Sequence, residues 1–471
     1  MDVSLELIRI RCQRNGQHCR RVGAGTSGMS EVLREFPEPE SRSQRTSGAV
    51  GRPFFDADPA RNGYQPCVLP RMSSDGHISS VASNRDLRID WLRGLAMTCV
   101  IINHSKLRSV LSWFSYERFW VVTAAEVFVV LSGVVLGMVY GRRIARAGWQ
   151  TVVHGLLRRA ITLYVAFVAV TVSVVVLSIL GVDVRALMHG ADQSTAWFTD
   201  PSSLDATAWR DLLLMRSGVW AFEVIGLYVC LVLIAIPSLL TLRFVGWRPL
   251  IAASWMMYFA YRIWPHPLTS AEFEVVFPIA TWQLLFVHGI AIGYHREGVG
   301  AFASRWSKPV LVTAAAAVAI FFVFASCNPW SDGPAWLRLS IVSPAHFASL
   351  YGRYFGLTEL GIGRVLNLAV ALPLGYAALT AAWPRIRLLH AIFVTLGQQS
   401  LGAFVLHTYG LLVAAQVGSV DQVWGNAVVQ VLLIAAIAVL LAGTRRLAVI
   451  CRQAVTFTES PLMQRRRRCH S

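Results

Sequence analysis

The sequence predicts an all-α, polytopic membrane protein with about ten transmembrane helices and both termini in the cytoplasm. Of its 471 residues, 55% are hydrophobic and 15% are charged, and the mean hydropathy is +0.51. These values exclude a soluble domain of this size and a disordered chain. Long apolar runs alternate with short polar loops from about residue 86 onward. The loops also alternate in charge, as expected of a multi-pass protein.

Three regions of the chain differ in composition. Residues 1–84 lack a sustained apolar period and are expected to form a disordered, basic tail. No apolar segment typical of a cleavable signal peptide precedes the membrane region. Since Met72 lies just before that region, the first 71 residues are expected to be a dispensable tail or an artefact of start-site choice. Residues 85–445 form the predicted membrane domain, and residues 446–471 form a basic cytoplasmic tail suited to anionic lipid.

Ten apolar runs are predicted to span the membrane. They lie near 88–105, 121–140, 158–180, 219–241, 248–264, 276–295, 308–326, 364–383, 390–415 and 424–444. Loops dense in arginine, such as GRRIARAGW after the second run, alternate with acidic loops such as NPWSDGPAW after the seventh. By the positive-inside rule the arginine-rich loops are cytoplasmic, so the first helix begins inside and ends outside.

The formal net charge of +17 comes almost entirely from arginine, because lysine occurs only at positions 106 and 308. A basic chain suits nucleic acid or an acidic partner, but the flanks of membrane helices account for this charge, so no nucleic-acid partner is expected. The eight cysteines are scattered and form no Cys-x-x-Cys or Cys/His spacing. Neither a metal site nor a disulfide framework is therefore predicted.

The first predicted helix contains RGLAMTCVIINH, residues 93–104, and carries polar groups at membrane depth, which are costly and tend to be functional. Eleven helical steps of 100° bring His104 back to within about 20° of the face of Arg93, roughly 16 Å further along the axis. Asp90, Arg93, Met97, Val100 and His104 therefore form one stripe, on which Asp90 can pair with Arg93. A snorkelling arginine and a hydrogen-bonded interfacial histidine are the alternatives. A polar line along one face favours a stripe that lines the interior of the bundle.

Other polar groups lie near the outer ends of the predicted helices. Glu126 opens the second helix where His104 ends the first, so Glu126 is predicted to orient the imidazole. The alternative is a glutamate favoured by the helix dipole. Asn103 and Glu223 are candidate lining groups. Ser132 and Gly133, with Gly137, form a small face that also suits close helix packing. Five tryptophans mark the outer loops and suit either sugar stacking or an interfacial aromatic belt: Trp197, Trp209, Trp220, Trp330 and Trp336.

Three segments carry a family resemblance. RDLRIDWLRGLAMTCVIINH (85–104) followed by AAEVFVVLSGVVLGMVYGRR (124–143) resembles the OpgC protein family, inner-membrane proteins linked to succinylation of osmoregulated periplasmic glucans. That family is similar in turn to membrane acyltransferase family 3, whose hallmark is Arg, ten residues and His on the first membrane helix, as at Arg93 and His104. VFVVLSG (127–133) resembles the second hallmark, and LGQQSLGAFVLHTYGLL (396–412) resembles the late segment that places His407. The resemblance covers roughly residues 85–445.

The resemblance implies a multi-pass O-acyltransferase of the bacterial inner membrane, with no bound cofactor. The implied donor is succinyl-CoA or a similar cytoplasmic acyl thioester. The implied acceptor is a sugar hydroxyl of a periplasmic glucan, and glucan-synthesis proteins are candidate partners. Three catalytic residues are expected. His104 would act as general base or transient acyl carrier, and Arg93 would bind a phosphate or the carbonyl oxygen of the donor. Glu126 would orient His104. Expected substrate-binding residues are Asp90, Asn103, Ser132, Glu223 and His407.

Two other classes of function fit the same residues. A transporter or exporter without acyl transfer is the main alternative, because intramembrane Arg, Glu and His also suit a proton-coupled carrier. The lack of a visible internal repeat and the scarcity of broken helices argue against it. A purely structural subunit of a glucan-synthesis assembly is the third interpretation, and it predicts that Arg93 and His104 tolerate substitution.

Overall fold

The computed structural model describes residues 86–115, 117, 121–188, 205–269, 271–303, 307–331, 333–417 and 422–468. Within these ranges the chain is helical and contains no β-strand, which confirms the all-α prediction for this part of the chain. The predicted disordered tail, residues 1–84, lies outside the described residues, as does Trp197.

Fifteen α-helices are present in the described part of the chain. The first eight are α1 (Leu87–His104), α2 (Ser112–Ser115), α3 (Ala124–Ile179), α4 (Ala206–Leu213), α5 (Val224–Phe244), α6 (Trp247–Ile263), α7 (Phe273–Val276) and α8 (Ile279–Tyr294). The others are α9 (Arg296–Ala303), α10 (Lys308–Ser326), α11 (Pro344–Tyr354), α12 (Ile362–Ala382), α13 (Arg387–Gln398), α14 (Ser400–Val417) and α15 (Val423–Arg468). Short 3₁₀ turns occur at Arg185–Leu187, Trp220–Phe222 and Ala335–Leu337.

Five helical segments among the described residues are long and apolar enough to cross a membrane. They are Ala124–Ile179, Trp220–Phe244, Lys308–Ser326, Ile362–Ala382 and Val423–Arg446. The pair α13 and α14 passes the same test jointly but is bent by 95°. Because a bilayer core about 30 Å thick is spanned by about 20 apolar residues, these helices identify a membrane protein.

The predicted spans fall on helices, and one long helix contains two of them. The predicted runs at 88–105 and 308–326 correspond to α1 and α10. The runs at 121–140 and 158–180 both lie in α3, which leaves the helical conformation at Gly148 (φ 79°, ψ 166°). Glycine adopts such a positive φ readily because it lacks a Cβ atom. The two arms of α3 are therefore separate helices joined at a kink.

The ninth predicted span, 390–415, is not one straight helix. It ends as α13 at Gln398, and Gln399 takes φ −113° and ψ 38° before α14 begins at Ser400. Two glycines let α13 lie directly on α1, since a Cβ at Gly94 would overlap the backbone of Phe393 and a Cβ at Gly397 would overlap the carbonyl of Asp90. The break therefore lies against the first half of α1.

The small face predicted on α3 packs closely against α8. A Cβ atom added at Gly133 or Gly137 would overlap the backbone of α8, and one added at Gly289 or Gly293 would overlap the backbone of α3. Close approach of this kind is the usual role of small residues between membrane helices.

Candidate functional site

Two histidines from distant parts of the chain meet at the end of α1. His104 Nδ1 lies 3.1 Å from Nε2 of His407 in α14, and His407 Nδ1 lies 2.9 Å from the carbonyl oxygen of Phe404. Because a carbonyl oxygen only accepts, His407 Nδ1 donates, and in a neutral ring its Nε2 then accepts from His104 Nδ1. A neutral His104 therefore carries its lone pair on Nε2, the nitrogen suited to act as a base.

A cleft of about 210 Å³ opens beside His104. One wall is residues 104–107, and the other consists of small or aliphatic side chains: Ala186, Leu411, Ala414 and Ala415. The indole of Trp220 packs on the imidazole with ring centroids 4.7 Å apart, and its Nε1 donates to the carbonyl of Ala186 at 3.0 Å. The imidazole thus lies at the edge of a largely apolar cleft.

Arg93 lies on the same stripe toward the start of α1 and is only 5% exposed. Its Nη2 donates to Ser400 Oγ at 2.9 Å, and its guanidinium carbon lies 5.1 Å from the centroid of the Phe128 ring. Asp90 is 1% exposed, and its Oδ2 accepts from Gln398 Nε2 at 3.4 Å. This burial favours an interior position for Arg93 over a snorkelling one. Both side chains are directed at the break between α13 and α14.

A second cleft, of about 430 Å³, lies at this break. Gln398, Gln399 and Ser400 line one side, and Arg158 and Arg159 of the second arm of α3 contribute positive charge. Ser400 is also the partner of the Arg93 guanidinium, so the cleft and the buried arginine are contiguous. Exposed guanidinium groups in a cleft suit an anionic ligand such as a phosphate.

The start of α1 is held by a hydrogen-bonded carboxylate. Asp86 caps the helix by accepting from the backbone N–H of Arg88 at 3.0 Å, and it also accepts from the Tyr376 hydroxyl at 2.5 Å. Burial alone would raise the pKa of Asp86, but the hydrogen bonds and charge of Arg88 and the Tyr376 hydroxyl outweigh it and lower the pKa. These contacts fix the helix end that positions Arg93.

Glu126 does not orient His104, which corrects the contact expected from the sequence. Its Oε1 accepts from Arg364 Nη1 at 2.7 Å, and its Oε2 accepts from the backbone N–H of Thr123 at 2.5 Å and from the Thr123 hydroxyl. Both oxygens are therefore engaged by an ion pair and a helix cap. The alternative interpretation, a glutamate stabilised at a helix start, describes its position.

Arg364 is the centre of a buried ion-pair network on the wall of the bundle. It is fully buried, pairs with Glu117 as well as Glu126, and donates to the carbonyl of Phe355 at 2.5 Å. Tyr351 donates to Glu117 Oε2 at 2.8 Å. A buried charge of this kind is stable only when paired and hydrogen-bonded.

The other predicted binding residues take different positions. Asn103 Oδ1 accepts from Ser115 Oγ at 2.5 Å, beside the end of α1. Glu223 is 3% exposed and directly follows the 3₁₀ turn that carries Trp220. Ser132 Oγ accepts from the hydroxyl of Tyr228 at 3.3 Å in the buried region between α3 and α5. Asn103 and Glu223 thus adjoin the elements around His104, whereas Ser132 belongs to the helix-packing region.

Three residues of these sites had no assigned role at the level of sequence. Lys106 lines the smaller cleft. The sequence feature that could have identified it is the rarity of lysine, since the chain has only two. Arg364 stands at the first turn of a predicted span, where a charge is costly. Ser400 lies inside the late segment that placed His407. Among the described residues, no group of three or more His, Cys, Asp or Glu side chains is arranged to hold a metal ion.

Comparison with known proteins identifies one family. The model of the family described as OpgC protein matches residues 85–449, most of the chain. No curated protein and no solved structure matches the sequence.

Proposed function

The chain belongs to the OpgC protein family, and on this premise we propose that it is a multi-pass O-acyltransferase of the bacterial inner membrane. It transfers a succinyl group from a cytoplasmic CoA thioester to sugar hydroxyls of periplasmic glucans. The observation that carries the proposal is the placement of two sites on one face of α1. Arg93 adjoins the basic cleft at the helix break, and His104 adjoins the apolar cleft at the other end.

In the proposed topology ten spans cross the membrane and both termini are cytoplasmic. The shorter helices α1, α6 and α8, the two arms of α3 and the broken pair α13–α14 join the longer helices to make this number. The arginine-rich loops support the orientation. Arg93, Arg158 and Arg159 then face the compartment of the donor, and His104 and His407 face that of the acceptor.

The basic cleft is the proposed binding site of the donor. The phosphates of CoA are anionic, and Arg158 and Arg159 offer planar guanidinium groups that can each form two hydrogen bonds to a phosphate. Arg93, buried next to the same cleft, would bind a phosphate or the thioester carbonyl oxygen, where a fixed charge in low dielectric is strongly felt. The acyl arm would extend from there along the stripe of α1 toward His104.

The chemistry at His104 is general-base catalysis of ester formation. His104 Nε2 takes the proton of the sugar hydroxyl as that oxygen bonds to the thioester carbonyl carbon. The tetrahedral intermediate then breaks its C–S bond, and the imidazolium returns the proton to the departing sulfur, which gives the ester and the CoA thiol. His407 Nε2 accepts from His104 Nδ1 throughout and holds the imidazole in the required tautomer.

A variant of this chemistry uses His104 as a transient acyl carrier. Nε2 would attack the thioester carbonyl and expel CoA as the thiolate, which leaves an acyl-imidazolium. The sugar hydroxyl would then attack the acyl carbon, its proton would pass to the thiolate to give the CoA thiol, and the neutral imidazole would be restored. Asp90, Asn103 and Glu223 would bind the substrates around this path. Lipid is the surrounding partner of the helices, glucan-synthesis proteins are further candidate partners, and the scheme needs neither a bound cofactor nor nucleic acid.

A glucan or solute exporter without acyl transfer is the second candidate, and one observation favours it. The break at Gln398–Ser400 places polar residues at a 95° bend, and discontinuous helices are typical of transporter binding sites. The expectation that broken helices are scarce therefore does not hold at this position.

Mass spectrometry of periplasmic glucans tests the proposal. Cells lacking the gene receive the wild type, His104→Ala or the control variant His295→Ala, which changes a histidine after the end of α8. The wild type and the control should produce glucans carrying the acyl mass increment. His104→Ala should yield unsubstituted glucans while its amount in the membrane is unchanged. Normal acylation in His104→Ala would overturn the mechanism.

A further inference from the structure

Lys106 has an unusual position two residues after the end of α1. Its backbone has φ 55°, in the left-handed region that non-glycine residues seldom occupy. Its Nζ lies 4.7 Å from the centroid of the Trp220 ring, the same indole that packs on His104. The ammonium group and the imidazole are thus held by one aromatic side chain, and such strained positions cluster at ligand sites.

The charge of Lys106 has no counter-ion within the described part of the chain. No carboxylate of those residues forms an ion pair with it, and its cation–π contact is to Trp220. Lys106 is exposed, and partial desolvation lowers the pKa of its ammonium group, while no carboxylate of the described residues supplies a negative charge beside it. An anionic group of a ligand would supply it.

The lining of the cleft beside Lys106 is complementary to a short dicarboxylic acyl group. His104 and Lys106 contribute an imidazole and an ammonium group separated in sequence by one serine, and Leu411, Ala414 and Ala415 form an apolar wall. The volume of about 210 Å³ is enough for a small acyl chain. A carbonyl next to His104, methylenes on the apolar wall and a carboxylate at Lys106 would satisfy every part of this lining.

We propose that Lys106 binds the terminal carboxylate of the transferred acyl group and so selects dicarboxylic over uncharged acyl thioesters. This inference rests on the proposed acyl transfer and adds the residue that selects the acyl group at the same site. An acetyl group would leave the ammonium group without its partner. From the strength of charge-assisted hydrogen bonds, the expected discrimination is on the order of 10- to 100-fold in kcat/KM.

The test compares two donors on the purified full-length protein in lipid nanodiscs. Initial rates with labelled succinyl-CoA and acetyl-CoA, and an unsubstituted glucan as acceptor, give the ratio of kcat/KM for the two donors. Lys106→Met should lower this ratio by about 10- to 100-fold. Lys106→Arg, which keeps the charge, should retain most of it, and Lys308→Met, at the only other lysine, should leave it unchanged.

Two results would overturn the inference. One is a wild type that uses both donors equally, and the other is a Lys106→Met protein that elutes as a normal monodisperse species and keeps the wild-type ratio. If the wild type transfers neither group, the proposed function fails and binding decides the role of Lys106. Succinyl-pantetheine should then bind the wild type more tightly than acetyl-pantetheine, and more tightly than it binds Lys106→Met. Equal binding would refute the role of Lys106.

Discussion

The substitution Glu126→Gln distinguishes two roles for an acidic residue at the start of α3. The sequence suggested that Glu126 orients His104, whereas its oxygens bond to Arg364 and Thr123. The introduced glutamine would be nearly isosteric but uncharged. It would leave the Arg364 guanidinium with Glu117 as its remaining acidic partner, in a region where Arg364 and Glu126 are 0% and 1% exposed.

The expected cost follows from this burial. Removing one partner of a buried ion pair destabilises proteins by about 3–5 kcal/mol, and the remaining pair with Glu117 favours the lower end of that range. The single amide oxygen of the introduced glutamine also cannot serve both Arg364 and the Thr123 cap, and losing a cap costs about 1 kcal/mol. We therefore expect the free energy of unfolding to fall by about 3–4 kcal/mol.

Unfolding of the purified protein by increasing mole fractions of SDS in mixed micelles, followed by tryptophan fluorescence, measures this change. Glu297→Gln is the control, because Glu297 is 91% exposed and its neighbour Arg296 lies 4.0 Å away, so its effect should stay within about 0.5 kcal/mol. The protein that remains folded should keep the wild-type pH profile of acyl transfer. Unchanged stability together with a shifted pH profile would refute the assignment and restore a role for Glu126 at His104.

Two other substitutions address the two ends of α1. His407→Leu removes the acceptor of His104 Nδ1, so the imidazole of His104 loses its fixed tautomer. The value of kcat/KM should fall by about 10- to 100-fold, and its pH profile should change. An unchanged pH profile would mean that His407 serves only in packing. The double substitution Arg158→Gln, Arg159→Gln should raise KM for the acyl-CoA by about tenfold or more with little change in kcat. The reason is that the lost contacts bind a part of the donor that is remote from the reacting atoms. Initial rates at varied acyl-CoA measure this, and an unchanged KM would locate the donor elsewhere.

Local features of the sequence predicted the parts of the site that lie on one helix. The limits of α1 follow closely from the apolar run, and the shared face of Arg93 and His104 follows from helical periodicity, which depends on residues only a few positions apart. The same holds for the small face of α3, where Gly133 and Gly137 meet α8. Hydropathy likewise located α10 at its observed limits.

Contacts between distant segments could not be predicted in this way. His104 and His407 are 303 residues apart, and Glu126 and Arg364 are 238 apart, so their pairing depends on how the helices pack. Glu126 was expected near His104 because both occupy outer helix ends, but a buried arginine from α12 competes for the carboxylate more strongly. The break at Gln399 has no proline to mark it, and the bend of 95° becomes apparent only when α13 and α14 are seen in the folded chain.

Transfer across a sealed membrane tests the central claim, that one path joins a donor site at Arg93 to an acceptor site at His104. The protein is reconstituted into liposomes with unsubstituted glucan trapped inside, and labelled succinyl-CoA, which does not cross lipid, is added outside. Wild-type vesicles should accumulate labelled glucan in the lumen, and His104→Ala vesicles should not. In a parallel sample that also has glucan outside the vesicles, label found only on the outer glucan would contradict the account, and so would trapped glucan that leaves the vesicles unmodified.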